Sequence, residues 1–195
     1  MAHVRYGSAE DAEAISRIRR DAWRAAYAGI ITAEIIERAT GVPDTNRERA
    51  LFVLRPWRRT LVAEQAPPAP APSAAPVTEV IGYASFGPER DVDGAPLPQR
   101  AGRDGSPRPR CAELYALYVT PAWWSTGAGR DLMRRVLEET RAGGYPQIIL
   151  WVLEQNARAR QFYECSGFRL DGRSYRPDWL GGVTEVCYAR DLDGP

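Results

Sequence analysis

The chain contains no lysine: all 26 of its basic residues are arginine, and histidine occurs once, at His3. The first absence removes the phosphate-loop class of nucleotide hydrolases, whose last glycine is followed by a lysine that reaches the terminal phosphates. The second leaves Ser-His-Asp and Cys-His mechanisms without a base and histidine-containing metal clusters without ligands. Long apolar runs are missing as well, so no signal peptide or membrane span is read. Cysteine is sparse. Cys111, Cys165 and Cys187 are odd in number and far apart in sequence, a pattern of reduced, individually buried thiols that fits a cytoplasmic protein better than a disulfide framework. Nor is there excess charge of one sign: 26 basic and 25 acidic residues leave a net charge of +1, so neither nucleic acid nor an anionic membrane is an expected partner. Chemistry is left to carboxylates, phenols and backbone amides, with no metal.

What is present suits one domain with its own core, since 195 residues need neither disulfide nor metal to bury most of their apolar surface. Val4 to Tyr6 reads as a strand, and Ser8 ahead of Glu10 and Asp11 starts a helix whose apolar positions run through Ile15 and Ile18 to Trp23 and Tyr27. Helices are expected over Thr32 to Ala39 and Thr45 to Leu54, and strands over Thr60 to Glu64 and Val80 to Phe86. Residues 65–79 and 87–110 are rich in proline and glycine and read as flexible insertions within the single domain 1–195.

The signal sharpens from Cys111. CAELYALYV is a near-continuous apolar strand interrupted by one carboxylate, Glu113, the pattern of a central buried strand. A helix from about Gly129 to Ala142 puts Leu132, Met133, Val136 and Leu137 on one face and ends at Gly143-Gly144. Gln147 to Leu153 is again a buried strand. Asn156 caps a further helix that closes at Gly167, and strands follow in FRL and VTEVCYARDL. The run is a β–α–β–α–β unit.

Between its first strand and helix lies WWSTGAGRDLM. A Gly-x-Gly turn there suits an oxyanion, because the first amides of a helix lack intrahelical acceptors and the helix dipole is positive at that end. A dinucleotide fingerprint would want a small residue where Leu132 stands, which disfavours NAD and FAD. Successive amides from Ser125 through Thr126, Gly127, Ala128 and Gly129 to Arg130 would form a concavity for a pyrophosphate, with the two glycines letting the backbone approach.

Two segments, LYVTPAWWSTGAGRDLM and LWVLEQNARARQFYECSGF, resemble the acyl-CoA-binding core of the GCN5-related N-acetyltransferases. Gly127 and Gly129 fit that family's phosphate loop, and Asn156, Ala159, Phe162 and Tyr163 fit its N-x-x-A-x-x-[F/L]-Y helix. Trp124 departs from it, standing where arginine or glutamine is usual, a change expected to alter packing more than binding. The resemblance covers Cys111 to about Leu192, and DAWRAAYAGIIT more loosely resembles the substrate-side helices of bacterial members.

The resemblance implies an α/β fold: a single mixed, largely antiparallel central sheet flanked by helices, with its fourth and fifth strands splayed apart. It implies acetyl-CoA as co-substrate, with the pantetheine arm added along the strand edge at Leu117, Tyr118 and Val119. It implies direct transfer of acetyl to a primary amine of a small molecule or peptide. In such a reaction Tyr163 would protonate the leaving thiolate, Glu113 would take the amine's proton directly or through water, and a strand amide near Val119 would hold the oxyanion. Strand alternation would put Glu113, Tyr115 and Leu117 on one face, where a buried carboxylate has a raised pKa. A structural alternative for Glu113 is pairing with one of the many arginines. Trp23 and Tyr27, four apart on one helical face, would wall the acceptor cleft and suit an aromatic or amphiphilic amine better than a polycation; the alternative is ordinary core packing. A non-catalytic acyl-CoA-binding sensor stays open, as do O-acetylation and longer acyl donors. Many members of the family form homodimers, and that oligomeric state is open here too.

Overall fold

The structure, a computed structural model, describes residues 2–40, 45–65, 78–91, 94–101, 107–108 and 110–192. In chain order the elements are β1 (His3–Tyr6), α1 (Ala12–Ala26), α2 (Ala33–Thr40), α3 (Thr45–Leu54), β2 (Arg59–Gln65), β3 (Glu79–Pro88), the short strands β4 (Arg100–Ala101) and β5 (Pro107–Arg108), β6 (Ala112–Val119), α4 (Ala128–Ala142), β7 (Gln147–Leu153), α5 (Ala157–Cys165), β8 (Arg169–Tyr175) and β9 (Glu185–Asp191). Seven of the strands make one sheet in the order β1-β2-β3-β6-β7-β9-β8, while β4 and β5 pair with each other. All neighbours in the large sheet are antiparallel except β6 and β7. The expected mixed, largely antiparallel sheet is therefore observed, with α4 as the crossover between its parallel pair.

One side of the sheet is covered by α4, whose Leu132, Met133, Val136 and Leu137 meet Ile148, Leu150 and Val152 of β7. Burial of each such side chain contributes about 1.5–3 kcal/mol. The other side receives α1 through Ile15 and Ile18 against Val62 and Tyr83, and α2 through Ile35 and Ile36. The expected helix start at Ser8 is a capping box: its hydroxyl accepts from the Glu10 amide at 3.2 Å, and Asp11 accepts from the Ser8 amide at 2.8 Å.

The middle of the sheet is irregular in a way that sets the site. Leu114 of β6 pairs with Phe86 of β3 and Ala116 with Ser85, which leaves Tyr115 as an extra residue. On the other edge, β6 stays in register with β7 only from Ala112 to Leu114. A bulge bends its strand, and beyond Tyr115 the two parallel strands separate. Alternation is reversed there. Leu117 and Val119 join the core beneath α4, while Ala116 and Tyr118 face α1. The expectation that Glu113 and Leu117 share a face is thus corrected, because the extra residue shifts the pleat by one.

The second expected insertion begins later than 87. Gly87 and Pro88 complete β3, and Arg90 bridges Pro96 before the β4–β5 pair. Gly87 is required by close approach, since a Cβ there would lie 2.7 Å from both the Trp57 carbonyl and the Tyr115 hydroxyl oxygen. Of the first expected insertion, residues 66–77 lie outside the described residues. Cysteine burial also needs correction. Cys111 and Cys187 are buried in one cluster with Ile149, but Cys165 is exposed at the end of α5. Burial pushes the Cys111 thiol up to about 12. Among the described residues no helix is long and apolar enough to cross a membrane.

Candidate active site

The separation of β6 from β7 opens a cleft of about 1080 Å³ that runs from the N-terminus of α4 to the face of α1. Its floor is the splayed part of the sheet, and its walls are α4 and α5 at one end and α1 with the β8–β9 connection at the other.

At the α4 end the chain turns through Ser125, with φ of 65°, and Gly127, with φ of 107° and ψ of −15°, immediately before the first helical residue. Left-handed backbone is natural only for glycine, and a serine held there is strained. No side chain caps the helix at Gly127, so its leading amides are left for an external acceptor. Arg158 of α5 reaches across this turn. Its guanidinium stacks 4.4 Å from the centre of the Trp124 ring and donates to the Ser125 hydroxyl at 3.3 Å. Trp124 in turn donates from Nε1 to the Val119 carbonyl at 2.7 Å. The indole thus ties the turn to the end of β6, and Arg158 brings a positive charge beside it.

Leu117, Tyr118, Val119, Trp124, Ser125, Gly127, Gly129, Arg130, Asn156, Trp23, Tyr27, Glu113 and Tyr163 all line the cleft. Two expected residues do not. The Thr126 hydroxyl donates to the Trp123 carbonyl at 2.8 Å, and Ala128 is buried in the core, so these two offer backbone alone. Asn156 caps α5, accepting from the Ala159 amide at 3.1 Å.

Tyr163 sits between Phe162 and Phe168, with ring centroids at 5.5 and 6.0 Å. Burial, with a smaller contribution from Tyr118, raises its phenol well above the usual tyrosine range. It therefore stays protonated at neutral pH. Two further phenols face it: the Tyr27 and Tyr118 hydroxyls lie 3.4 Å apart, and burial raises both pKa values. The Trp23 indole N–H is directed toward the Tyr118 hydroxyl without reaching full hydrogen-bond geometry. Trp23 also packs edge-on against Tyr27 at 5.0 Å and stacks on Trp179 at 6.3 Å. Sequence reading missed Trp179, which follows β8 in a turn with no helical or strand period.

Glu113 is 4 % exposed, and its carboxylate is fully engaged. It accepts from the Arg90 backbone amide at 3.0 Å, from Nε at 3.2 Å and from Nη2 at 2.5 Å. Arg90 in turn lies 3.9 Å over the Tyr115 ring, whose hydroxyl donates to the Pro88 carbonyl. The pair is a fork-on-carboxylate ion pair, a strong arrangement for a buried charge.

A second carboxylate, Glu185, lines the same cleft. It opens β9, opposite Leu153 of β7 and Tyr175 of β8. Burial raises its pKa above the usual glutamate range, helped by the charge of Glu113 and opposed by Arg90. The signal that singled out Glu113, one carboxylate in an apolar strand, was present in VTEVCYA too. Among the described residues no group of three or more His, Cys, Asp or Glu side chains is placed to hold a metal ion.

Comparison with known proteins agrees with this geometry. The model of the acetyltransferase (GNAT) family matches residues 33–168, well over half of the chain. The chain belongs to the GNAT family. The uncharacterized N-acetyltransferase YuaI of Bacillus subtilis (strain 168) is 28 % identical over 156 residues, covering 80 % of this chain and 74 % of its own. The L-methionine sulfoximine/L-methionine sulfone acetyltransferase of Salmonella typhimurium is 32 % identical over 89 residues, 46 % of this chain and 44 % of its own. Among solved structures, PaiA N-acetyltransferase of Thermoplasma acidophilum in complex with coenzyme A superposes with a TM-score of 0.68 at 20 % identity, covering 98 % of this chain and 99 % of that one. YncA of Salmonella typhimurium, solved with acetyl-CoA, gives 0.64 at 22 % identity over 100 % of this chain and 96 % of that one. In this GNAT chain the cleft between the separated strands and the capless start of α4 are continuous, as a long, bent ligand with one anionic end requires.

Proposed function

We propose that the protein transfers acetyl from acetyl-CoA to the primary amine of a small molecule or peptide. The observation that carries this reading is the continuity of one cleft from an anion-receptive helix start, past an unpaired strand edge, to a buried protonated phenol. The pyrophosphate would lie against the amides of residues 125–130, with Arg158 and Arg130 beside it. The pantetheine amides would pair with the edge of β6 released after Leu114. The oxyanion formed when an amine attacks the thioester would be stabilised by a strand amide near Val119. Tyr163 would donate to the departing thiolate, whose thiol has an ordinary pKa of about 8.5.

The Arg90 pair supports a positioning role for Glu113, holding the turn after β3 against the bulge, over that of proton acceptor. The test is a thiol-release assay with acetyl-CoA and a broad amine panel. Turnover that falls in Tyr163→Phe without loss of acetyl-CoA affinity is expected. Binding of acetyl-CoA with no turnover across the panel would favour the non-catalytic module.

A further inference from the structure

The acceptor half of the cleft has an unusual charge balance. Arg90 is committed to Glu113, and Arg173 is committed to Asp171 at 2.6 Å and to Glu89 at 3.1 Å. The Glu185 carboxylate is left with no hydrogen bond or ion pair among the described residues, although the residue is partly buried in the wall of the cleft. Among the described residues that line the cleft with it are the phenols of Tyr27 from α1, Tyr118 from β6 and Tyr175 from β8, the Glu113–Arg90 pair, Asp91 from the turn after β3, and Arg173 of β8, which is already paired. Leu153, the cross-strand partner of Glu185, packs with Trp23 and Tyr27, so Glu185 lies on the same side of the sheet as the aromatic wall.

An uncompensated carboxylate in such a place calls for a cation from outside. Resting on the acetyltransferase reading, we infer that Glu185 receives the ammonium of the acceptor and takes its proton, and that the acceptor is a primary amine on an aromatic or apolar body without a carboxylate of its own. The aromatic surfaces of Trp23, Tyr27 and Trp179 suit that body, and their π faces also attract a cation. Among the described residues that line this half of the cleft no unpaired guanidinium is available to an α-carboxylate, and an amino acid would set its carboxylate against Glu185.

The proton balance closes. The Glu185 carboxylate takes one proton from R–NH3+, leaving R–NH2, whose lone pair attacks the thioester carbonyl carbon. The C–N bond forms and the C–S bond breaks. The nitrogen loses its second proton, which ends on the coenzyme thiolate through the Tyr163 hydroxyl. The products are R–NH–acetyl, the free thiol and a protonated Glu185 that returns its proton to water. Activity thus needs ionised Glu185 and falls as pH drops through its raised pKa.

The test compares 2-phenylethylamine, L-phenylalanine and spermidine as acceptors with acetyl-CoA, for the wild type, Glu185→Gln and Glu113→Gln, as pH profiles of kcat/KM. Expected is at least a tenfold preference for 2-phenylethylamine over either competitor. Glu185→Gln is expected to lower its kcat/KM by about 100-fold, within the range of general-base loss, and to abolish the acidic limb while acetyl-CoA affinity is kept. Glu113→Gln should keep that limb. A limb that survives in Glu185→Gln and vanishes in Glu113→Gln overturns the assignment, and preference for L-phenylalanine or spermidine overturns the acceptor class. Loss of acetyl-CoA binding by the wild type would instead refute the acetyltransferase reading itself, so the two failures are told apart.

Discussion

Removing the Arg90 guanidinium isolates what holds Glu113. In Arg90→Met the carboxylate, 4 % exposed, loses two guanidinium bonds at 3.2 and 2.5 Å and keeps one backbone bond at 3.0 Å. Truncating one partner of a buried pair costs about 3–5 kcal/mol. The Arg90 side chain is itself 26 % exposed, which lets water reach the remaining charge and puts the expected cost at the low end, about 3 kcal/mol. For a protein of this size that corresponds to a fall of roughly 6–12 °C in Tm. The assay is equilibrium urea unfolding of the wild type, Arg90→Met, Glu113→Gln and the double variant. Methionine keeps most of the stem over Tyr115, so the cycle reads the charge pair. The double variant should recover most of the loss, giving a coupling of about 2 kcal/mol or more, as expected for groups in direct contact. A coupling under about 0.5 kcal/mol, the level at which independent sites simply add, would refute the view that Glu113 is structurally engaged.

Gly127→Ala places a side chain at φ of 107°, which costs about 1–3 kcal/mol. It should also weaken coenzyme A binding by an order of magnitude, measured by calorimetry. Gly129→Ala is the contrast: its Cβ would meet Phe162 at an ordinary 3.6 Å, so urea unfolding should show a change within about 0.5 kcal/mol. Trp124→Phe loses the bond to the Val119 carbonyl at 2.7 Å and should destabilise by about 1 kcal/mol. Tyr27, Tyr118 and Tyr163 have pKa values raised by burial. Stability from these phenols is fully present below the unfolded tyrosine pKa of about 10 and is lost as pH rises beyond it. Urea midpoints should therefore be insensitive to these groups up to about pH 9 and fall above pH 10, with phenolate absorbance rising only on unfolding.

The parts legible in sequence were those with local causes. The α4 helix declared itself by its apolar period, the turn before it by Gly127, and the α5 start by Asn156, each a matter of a few adjacent residues. Glu113 was visible as an odd carboxylate in an apolar strand, but its partner was not, because Arg90 stands 23 positions earlier in a stretch whose composition reads as loop. The bulge at Tyr115 left no trace either. An extra residue in one strand is defined by its neighbour's register, and CAELYALYV reads as unbroken strand with or without it. Trp23 and Tyr27 share a helical face that the spacing shows, yet their contact with Trp179 and Tyr118 joins segments about 90 to 156 positions away, which no spacing rule reaches.

Most directly, the account rests on the amides of residues 125–130 holding a pyrophosphate while the separated edge of β6 holds the arm attached to it. Calorimetric titration of the purified protein with coenzyme A and, separately, with pantetheine tests both at once. Saturable binding of one coenzyme A per chain is predicted, with pantetheine weaker by about 100-fold or more, since it lacks the charged half that a helix start and two arginines would hold. Equal affinity for the two ligands, or no binding of coenzyme A by the folded chain, would contradict it.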